Sequence, residues 1–558
     1  MRPSFVSVVL LGSVLSFAPA RGAARITVVN MNAPGVGFND QTPVMPVGGN
    51  PGTTLGEQRL RAFQYAADLW GRTLDSDVEI FVQASFEPIF CAPGVAVLGF
   101  AGANQIFWGF PGAELPETLY PVPLANKLAG FDIWPGPHGT EADDILAVFN
   151  SQLDDPDCFG PSGWYYGFDN DHGFDSDVVD VLLHELGHGL GFESFVDVTN
   201  GEQPFERTDV FSAYIRDTST GKLWNQMTNE ERVVSATNSH HVVWDGLHVT
   251  EQAPAFLQAG LPILSVSSPV SIAGSFDVGT AAFGAPITFP GITGDVILAD
   301  DGVGATSDGC TPLVNVAAIT GRIALLDRGG CSFVIKTKIA QDAGAAAVLI
   351  ADNQPSTPPD PLGGFDPTIV IPAARISLFD GFVIKSQLAG GVRATLGVDR
   401  TLLAGADRSG HVHLYAPNPV QEGSSISHWD PIATPSLLLE PIVNADHPQV
   451  LDLTLPHMLD IGWFSDADGV PDGMDRCLGS DRAPTVVVGS CDSHVPNAVS
   501  HDGCKISDAI GACADRTPNH GRFVSCVARK TIALKSQGQI TAGQKGEIER
   551  CAARARIP

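Results

Sequence analysis

His184, Glu185 and His188 stand in one His-Glu-x-x-His stretch, which places two imidazoles one helical turn apart with a carboxylate beside them. Val178, Val181, Leu182 and Leu186 recur at helical spacing around it, so a helix is predicted. Neutral imidazoles held that way bind zinc well. Glu185 is placed to take a proton from a zinc-bound water. Two histidines leave the metal one protein ligand short, because a hydrolytic zinc keeps its fourth position for water. Gly191 is expected to end the helix and turn the chain back toward the metal. The apolar setting and that glycine weigh against the plainer reading, a helix with two surface histidines.

Carboxylates that could complete such a site follow at Glu193, Asp197, Glu206 and Asp209, without a clear helical Glu-x-x-x-Asp frame. Upstream, Trp164–Gly167 reads as a short strand, either a core strand or an edge that pairs with a substrate backbone. Asp169, Asp171, Asp175 and Asp177 read as a solvated loop.

The elements that must hold this helix begin at once after an N-terminal leader. Met1-Arg2, an apolar run from Phe5 to Phe17 and a small-residue stretch to Ala24 read as a secretory signal peptide cut near Ala20 or Ala24. The run is too short to span a bilayer. Ile26–Val29 then looks like a strand. Thr54 and Glu57 suggest a capping box for a helix whose face carries Leu60, Phe63, Ala67, Trp70 and Leu74. Val78, Ile80, Val82, Ala84 and Phe86 alternate as a strand does. Strand, helix and strand ahead of the histidine helix fit the upper lobe of an α/β metallopeptidase. Cys91 and Cys158, the only cysteines of this lobe, are expected to pair.

The whole chain has 558 residues, room for several domains, and a formal net charge of -30 from 32 basic and 62 acidic side chains. That balance argues against nucleic acid and anionic membranes as partners and for a soluble, acidic protein; a monomer acting on protein or peptide is the expectation. Ten cysteines in an exported chain, extracellular or periplasmic, are expected to form disulfides.

From about 270 to 400 a buried strand, a helix over Lys336–Gln341, Gly344 and a second buried strand make a βαβ unit. With Gly321–Phe333 and Lys336–Ile350 it resembles the protease-associated (PA) domain. The resemblance implies a non-catalytic module that gates or presents substrate, a Cys310–Cys331 pair, and structural roles for Asp327 and Arg328.

Beyond it lie Ser427-His428-Trp429 and, eleven residues after His428, Leu439. Together with the histidine helix, these resemble the leishmanolysin-like metzincins. In that group an insertion separates the helix from a Ser-His-Trp that brings the third zinc ligand. The resemblance implies His428 as that ligand and Leu439 at the place of the Met-turn methionine, where an apolar side chain of similar volume can pack. Ser194, where other metzincins carry the third histidine, is a poor zinc ligand. His411, His413, His447 and His457 have no such frame and are expected at the surface.

Asp466, Asp468, Asp472 and Asp475 surround a glycine turn, as oxygen ligands of calcium do, and resemble one thrombospondin type 3 repeat. Cys477 and Cys491 are expected to close that loop. Cys504, Cys513, Cys526 and Cys551 belong to a helical tail and allow three pairings.

The fold expected is α+β and multi-domain: a metzincin-like zinc peptidase domain split by an α/β PA-like insert, with a small calcium-loop and helical disulfide-rich tail. The divisions are 1–24 signal, 25–269 first peptidase part, 270–400 insert, 401–464 return segment, 465–495 acidic loop and 496–558 tail. The function expected is zinc-dependent endopeptidase, with calcium as a further ion. The alternatives are a non-catalytic secreted binding or adhesion protein on the same scaffold, and a zinc hydrolase completed by a carboxylate.

Overall fold

The computed structural model describes residues 23–93, 95–134, 144–155, 158, 162–355, 359, 361–442, 447–466, 468, 470–480, 483–500, 502–515, 517 and 519–555. The expected signal peptide falls outside them except for Ala23 and Ala24, and Ala24 N–H donates to Leu74 O at 3.1 Å. The chain divides into two compact units, one of Met1–Phe256 with His411–Pro558 and the other of Leu257–Gly410. The second is wider at both ends than the span 270–400, because long strands flank the βαβ core.

In the first unit, β1 (Ile26–Asn30), α1 (Leu55–Thr73), β2 (Ile80–Glu87), β3 (Gly99–Ala103) and β4 (Ile145–Asn150) build a four-stranded sheet in the order β1-β2-β4-β3. β1, β2 and β4 run parallel, and β3 lies antiparallel on the edge. Alternation along β2 buries Ile80, Val82, Ala84 and Phe86. Thr54 caps α1 by accepting from Glu57 N–H, but Glu57 turns to Thr53 N–H instead of closing the reciprocal box. Phe63, Ala67, Trp70 and Leu74 are buried, whereas Leu60 is 37% exposed and falls off the core face.

The histidine helix, α2 (Val178–Leu190), packs against both this sheet and α1, which itself reaches the sheet through Phe63 on Phe149. Trp70 Nε1 donates to Leu183 O at 3.1 Å. A side-chain carbon at Gly189 would stand 2.6 Å from Ile145, so glycine is what lets the helix approach β4. β5 (Trp164–Tyr165) pairs with β6 (Ser176–Asp177) just ahead of α2. Trp164 is buried, which makes β5 a support for the helix and leaves β3 as the sheet's edge.

The second unit is one eight-stranded sheet. Its strands are β7 (Ala259–Ser268), β8 (Gly274–Asp277), β9 (Gly279–Thr280), β10 (Ile292–Leu298), β11 (Ile323–Asp327), β12 (Ala347–Ala351), β13 (Ala373–Ile376) and β14 (Val392–Leu403). They lie in the order β8-β7-β14-β10-β11-β12-β13-β9. The four strands β10 to β13 run parallel; α3 (Phe333–Asp342) crosses over from β11 to β12, and α4 (Leu378–Gln387) leads from β13 to β14, which lies antiparallel to β10. Asp327 pairs with Lys385, and Arg328 and Arg375 both hold Asp352, so the polar groups at the strand ends are tied to one another.

Back in the first unit, α5 (Thr454–Asp460) leads into the acidic loop. The tail follows as a hairpin of β15 (Thr485–Val488) and β16 (Cys491–Pro496) with α6 (Ile506–Asp515), α7 (His520–Ser536) and α8 (Ala542–Arg554). The five disulfides are Cys91–Cys158, Cys310–Cys331, Cys477–Cys504, Cys491–Cys551 and Cys513–Cys526. Cys477 does not close on Cys491. Cys491 sits on β16, which packs against α8 and brings it to Cys551.

Among the described residues no helix is long and apolar enough to cross a membrane.

Candidate metal centre

Asp177 starts α2 by accepting from Val179 N–H at 2.8 Å. Gly191, at φ 126°, ends it, and Phe192 N–H returns to Gly187 O at 3.0 Å. Between these caps His184 and His188 share a face. His428 arrives on an irregular segment held by Tyr415 N–H to its carbonyl and by Trp429 N–H to Leu439 O. Nε2 of His188 and Nε2 of His428 lie 3.1 and 3.2 Å from Nε2 of His184.

The other ring nitrogens explain this convergence. Nδ1 of His184 faces Leu438 O at 2.7 Å, Nδ1 of His188 faces Phe192 O at 2.7 Å, and Nδ1 of His428 faces Ser424 O at 2.8 Å. A carbonyl only accepts, so each Nδ1 carries the proton and each Nε2 turns a lone pair inward. Burial pushes the pKa of His184 down to about 3 and of His188 to about 4, and His428 falls well below its ordinary value for the same reason. The rings are therefore neutral, the form that binds a metal. Around a tetrahedral zinc with bonds of about 2.05 Å, ligand nitrogens stand about 3.3 Å apart, so these three residues fit zinc.

Glu185 is buried beside them. Burial pushes it up to about 8, against a backbone hydrogen bond at Ala101 and with added repulsion from Glu193. The cleft in front, of about 1320 Å³, runs along β3 and is lined by Glu185, Glu193, the three histidines and exposed Phe100 and Phe174.

Leu439 is fully buried, and its methyl carbons stand 3.3 and 3.5 Å from where a side chain at Gly187 would begin. It thus packs against the helix between the two helical histidines. Ser194 bonds to Ser212, and its N–H donates to Ser427 Oγ at 3.1 Å, which ties the chain leaving α2 to the residue before His428. None of the four carboxylates weighed as a third ligand joins the cluster. Asp209 accepts from Ser212 and Phe195, Asp197 closes a local turn, Glu206 is exposed, and Glu193 faces the cleft.

Three histidines expected at the surface are buried instead. His413 is 7%, His447 4% and His457 0% exposed; His411 stays half-buried. His457 packs among Phe192, Phe211 and Trp244. His447 lies between Asp180 and Asp452. Asp180 precedes His184 by one turn, a spacing that was visible; the return of His447 to it was not.

In the acidic loop, carboxylate oxygens of Asp466, Asp468 and Asp475 gather within 4.8 Å. Asp468 Oδ2 and Asp475 Oδ2 have no hydrogen-bond partner. Asp472, expected among them, turns to Glu114: its N–H donates to Glu114 Oε2 at 3.0 Å. It is the following turn, capped back to Phe464 N–H, that carries Asp472 away.

The chain is similar to known proteins over limited stretches. It is 33% identical over 144 residues to vacuolar-sorting receptor 1 of Pisum sativum, covering 24% of this chain and 23% of that one. It is 38% identical over 94 residues to probable leucine aminopeptidase 2 of Aspergillus fumigatus, covering 16% and 19%. The chain thus spans about a quarter or less of the length of these relatives. Among solved structures, an aminopeptidase from Aneurinibacillus is matched at 18% identity and a TM-score of 0.20, over 34% of this chain and 42% of that one. Residues 292–384, within the second unit, match the family described as PA domain.

Proposed function

We propose that the protein is a secreted zinc metalloendopeptidase of the leishmanolysin-like, metzincin type, with the PA domain inserted between the two parts of its zinc site. The observation that carries this reading is the set of three Nδ1–carbonyl bonds, which aims three neutral Nε2 lone pairs at one point. His184, His188 and His428 hold zinc, which supplies a Lewis acid for the scissile carbonyl and makes a water acidic at neutral pH. Glu185 takes that water's proton as it attacks and hands it to the leaving amine. β3 offers an open antiparallel edge beside the site, on which an extended peptide can lie with residues on both sides of the cut. Asp466, Asp468 and Asp475 hold calcium, an oxygen set with two partnerless oxygens awaiting an ion. Five disulfides fit an oxidising compartment.

The test is cleavage of peptides acetylated at one end and amidated at the other by the zinc-loaded protein. Internal cuts in blocked peptides support an endopeptidase; cleavage confined to free N-termini makes it an aminopeptidase. No cleavage of either leaves the binding reading, which similarity to sorting receptors favours.

A further inference from the structure

His447 has no part in the reaction just described, yet it is buried with a hydrogen bond to one carboxylate and an ion-pair contact to another. Its Nδ1 lies 2.6 Å from Asp180 Oδ1 and its Nε2 lies 3.5 Å from Asp452 Oδ2. Asp180, His184 and His188 follow one another down α2 at intervals of four residues, on one face. Asp452 Oδ2 also accepts Leu438 N–H at 2.6 Å, and its Oδ1 accepts from Thr454 N–H and Oγ1. Leu438 O is the group that receives His184 Nδ1–H. The contacts close a ring: Asp180 to His447 to Asp452 to Leu438 to His184, one turn further along the same helix.

We propose that His447 is a positioning residue for the zinc site, acting through Asp452 and the Leu438 backbone to fix the carbonyl that sets the tautomer and ring angle of His184. This rests on the reading of the three imidazoles as zinc ligands. Leu438 lies in a segment without regular secondary structure, so its carbonyl has no helix or sheet to aim it. Asp452 grips one side of it, and Trp429 N–H, bonded to Leu439 O at 2.7 Å, grips the other. Burial alone lowers the pKa of His447, but the hydrogen bonds and charges of Asp180 and Asp452 outweigh it and bring it to about 9. Burial pulls Asp180 toward its neutral form as well; the raised imidazole is the direction that stands, because two carboxylates face one ring. Take the cation away and Asp452 becomes a buried carboxylate without its counter-charge, and its hold on Leu438 N–H loosens.

Outer partners of metal-bound histidines typically contribute about 10–100-fold in metal affinity. The test is competition with a chromophoric zinc chelator, run where circular dichroism shows the apoprotein folded. His447→Ala is expected to weaken zinc binding at least about tenfold, Asp452→Ala by a similar factor, and the double variant by no more than either alone. Asp452→Asn, which keeps an acceptor for Leu438 N–H, is expected to recover most of the affinity. A merely structural role lowers stability without this pattern, as expected for Asp460→Asn, a buried carboxylate outside the ring that accepts from Trp244 Nε1 and from the backbone N–H groups of His248 and Val249. Where His447→Ala does not fold, the Asp452 pair decides. Wild-type affinity in a folded His447→Ala, or equal loss in Asp452→Asn and Asp452→Ala, overturns the proposal. Wild-type protein that binds no zinc overturns the ligand reading itself.

Discussion

The histidine cluster and the aspartate cluster both gather like groups around one point, and they are built on opposite plans. The histidines come from two segments far apart in sequence, and every outward nitrogen already has a carbonyl partner. The aspartates come from ten consecutive positions, and two of their oxygens have no partner at all. Neutral rings cost little to bring together. Carboxylates repel, and burial with that repulsion pushes Asp475 up to about 7. On the proposed reading, the first cluster is already arranged for its ion, whereas the second gathers repelling charges that an ion would relieve.

This contrast can be tested by breaking each site at its own weak point. Glu185→Gln leaves the three ligands in place, so zinc content is expected to stay near one per chain while kcat falls about 10²–10⁴-fold, the range for a lost general base. A fall in zinc content instead means that Glu185 belongs to the metal's support. In the aspartate loop, calcium at about a hundred times its Kd is expected to stabilise the protein by about 2.7 kcal/mol in calorimetry. Asp475→Asn removes one repelling charge, so it is expected to raise the melting temperature without calcium and to abolish the calcium response. A calcium response that survives Asp475→Asn contradicts the ligand set.

His447 sharpens the comparison, since it is a cation set between two carboxylates, Asp180 and Asp452, behind the histidine cluster. Asp180 on α2, Asp452 and the neutral His184 are the groups around it. Its folded pKa is raised, so its ion pairs stabilise fully below its unfolded value of about 6.5 and are lost as pH rises through about 9. Urea unfolding of wild type beside His447→Gln is expected to show a gap that is widest below about pH 6.5 and closes toward pH 9. A gap that widens with rising pH contradicts the assignment. The smallest effect belongs to Leu439→Met, which conserves volume against Gly187 and is expected to change stability by less than about 1.5 kcal/mol with zinc affinity unmoved.

What was legible in the sequence follows the range of the physics. His184, Glu185 and His188 lie within one turn, so helical periodicity alone places them together. The strand, helix and strand before them have local periods and local caps. His428 is 240 residues past His188, and only a resemblance could link them. Nothing local marks His447 as the partner of Asp180, or turns Asp472 from its neighbours to Glu114. Both depend on where the chain returns after a long excursion. Pairing of Cys477 with Cys504 failed to show for the same reason: the nearer Cys491 was committed to β16 and, through it, to α8.

The most direct test of the central claim is the zinc content of purified full-length protein, wild type beside His428→Ala. The split three-histidine site requires about one zinc per chain in the wild type and a large loss in the variant. Equal zinc in both contradicts it and returns the third ligand to a carboxylate, and no zinc in either removes the metal centre altogether.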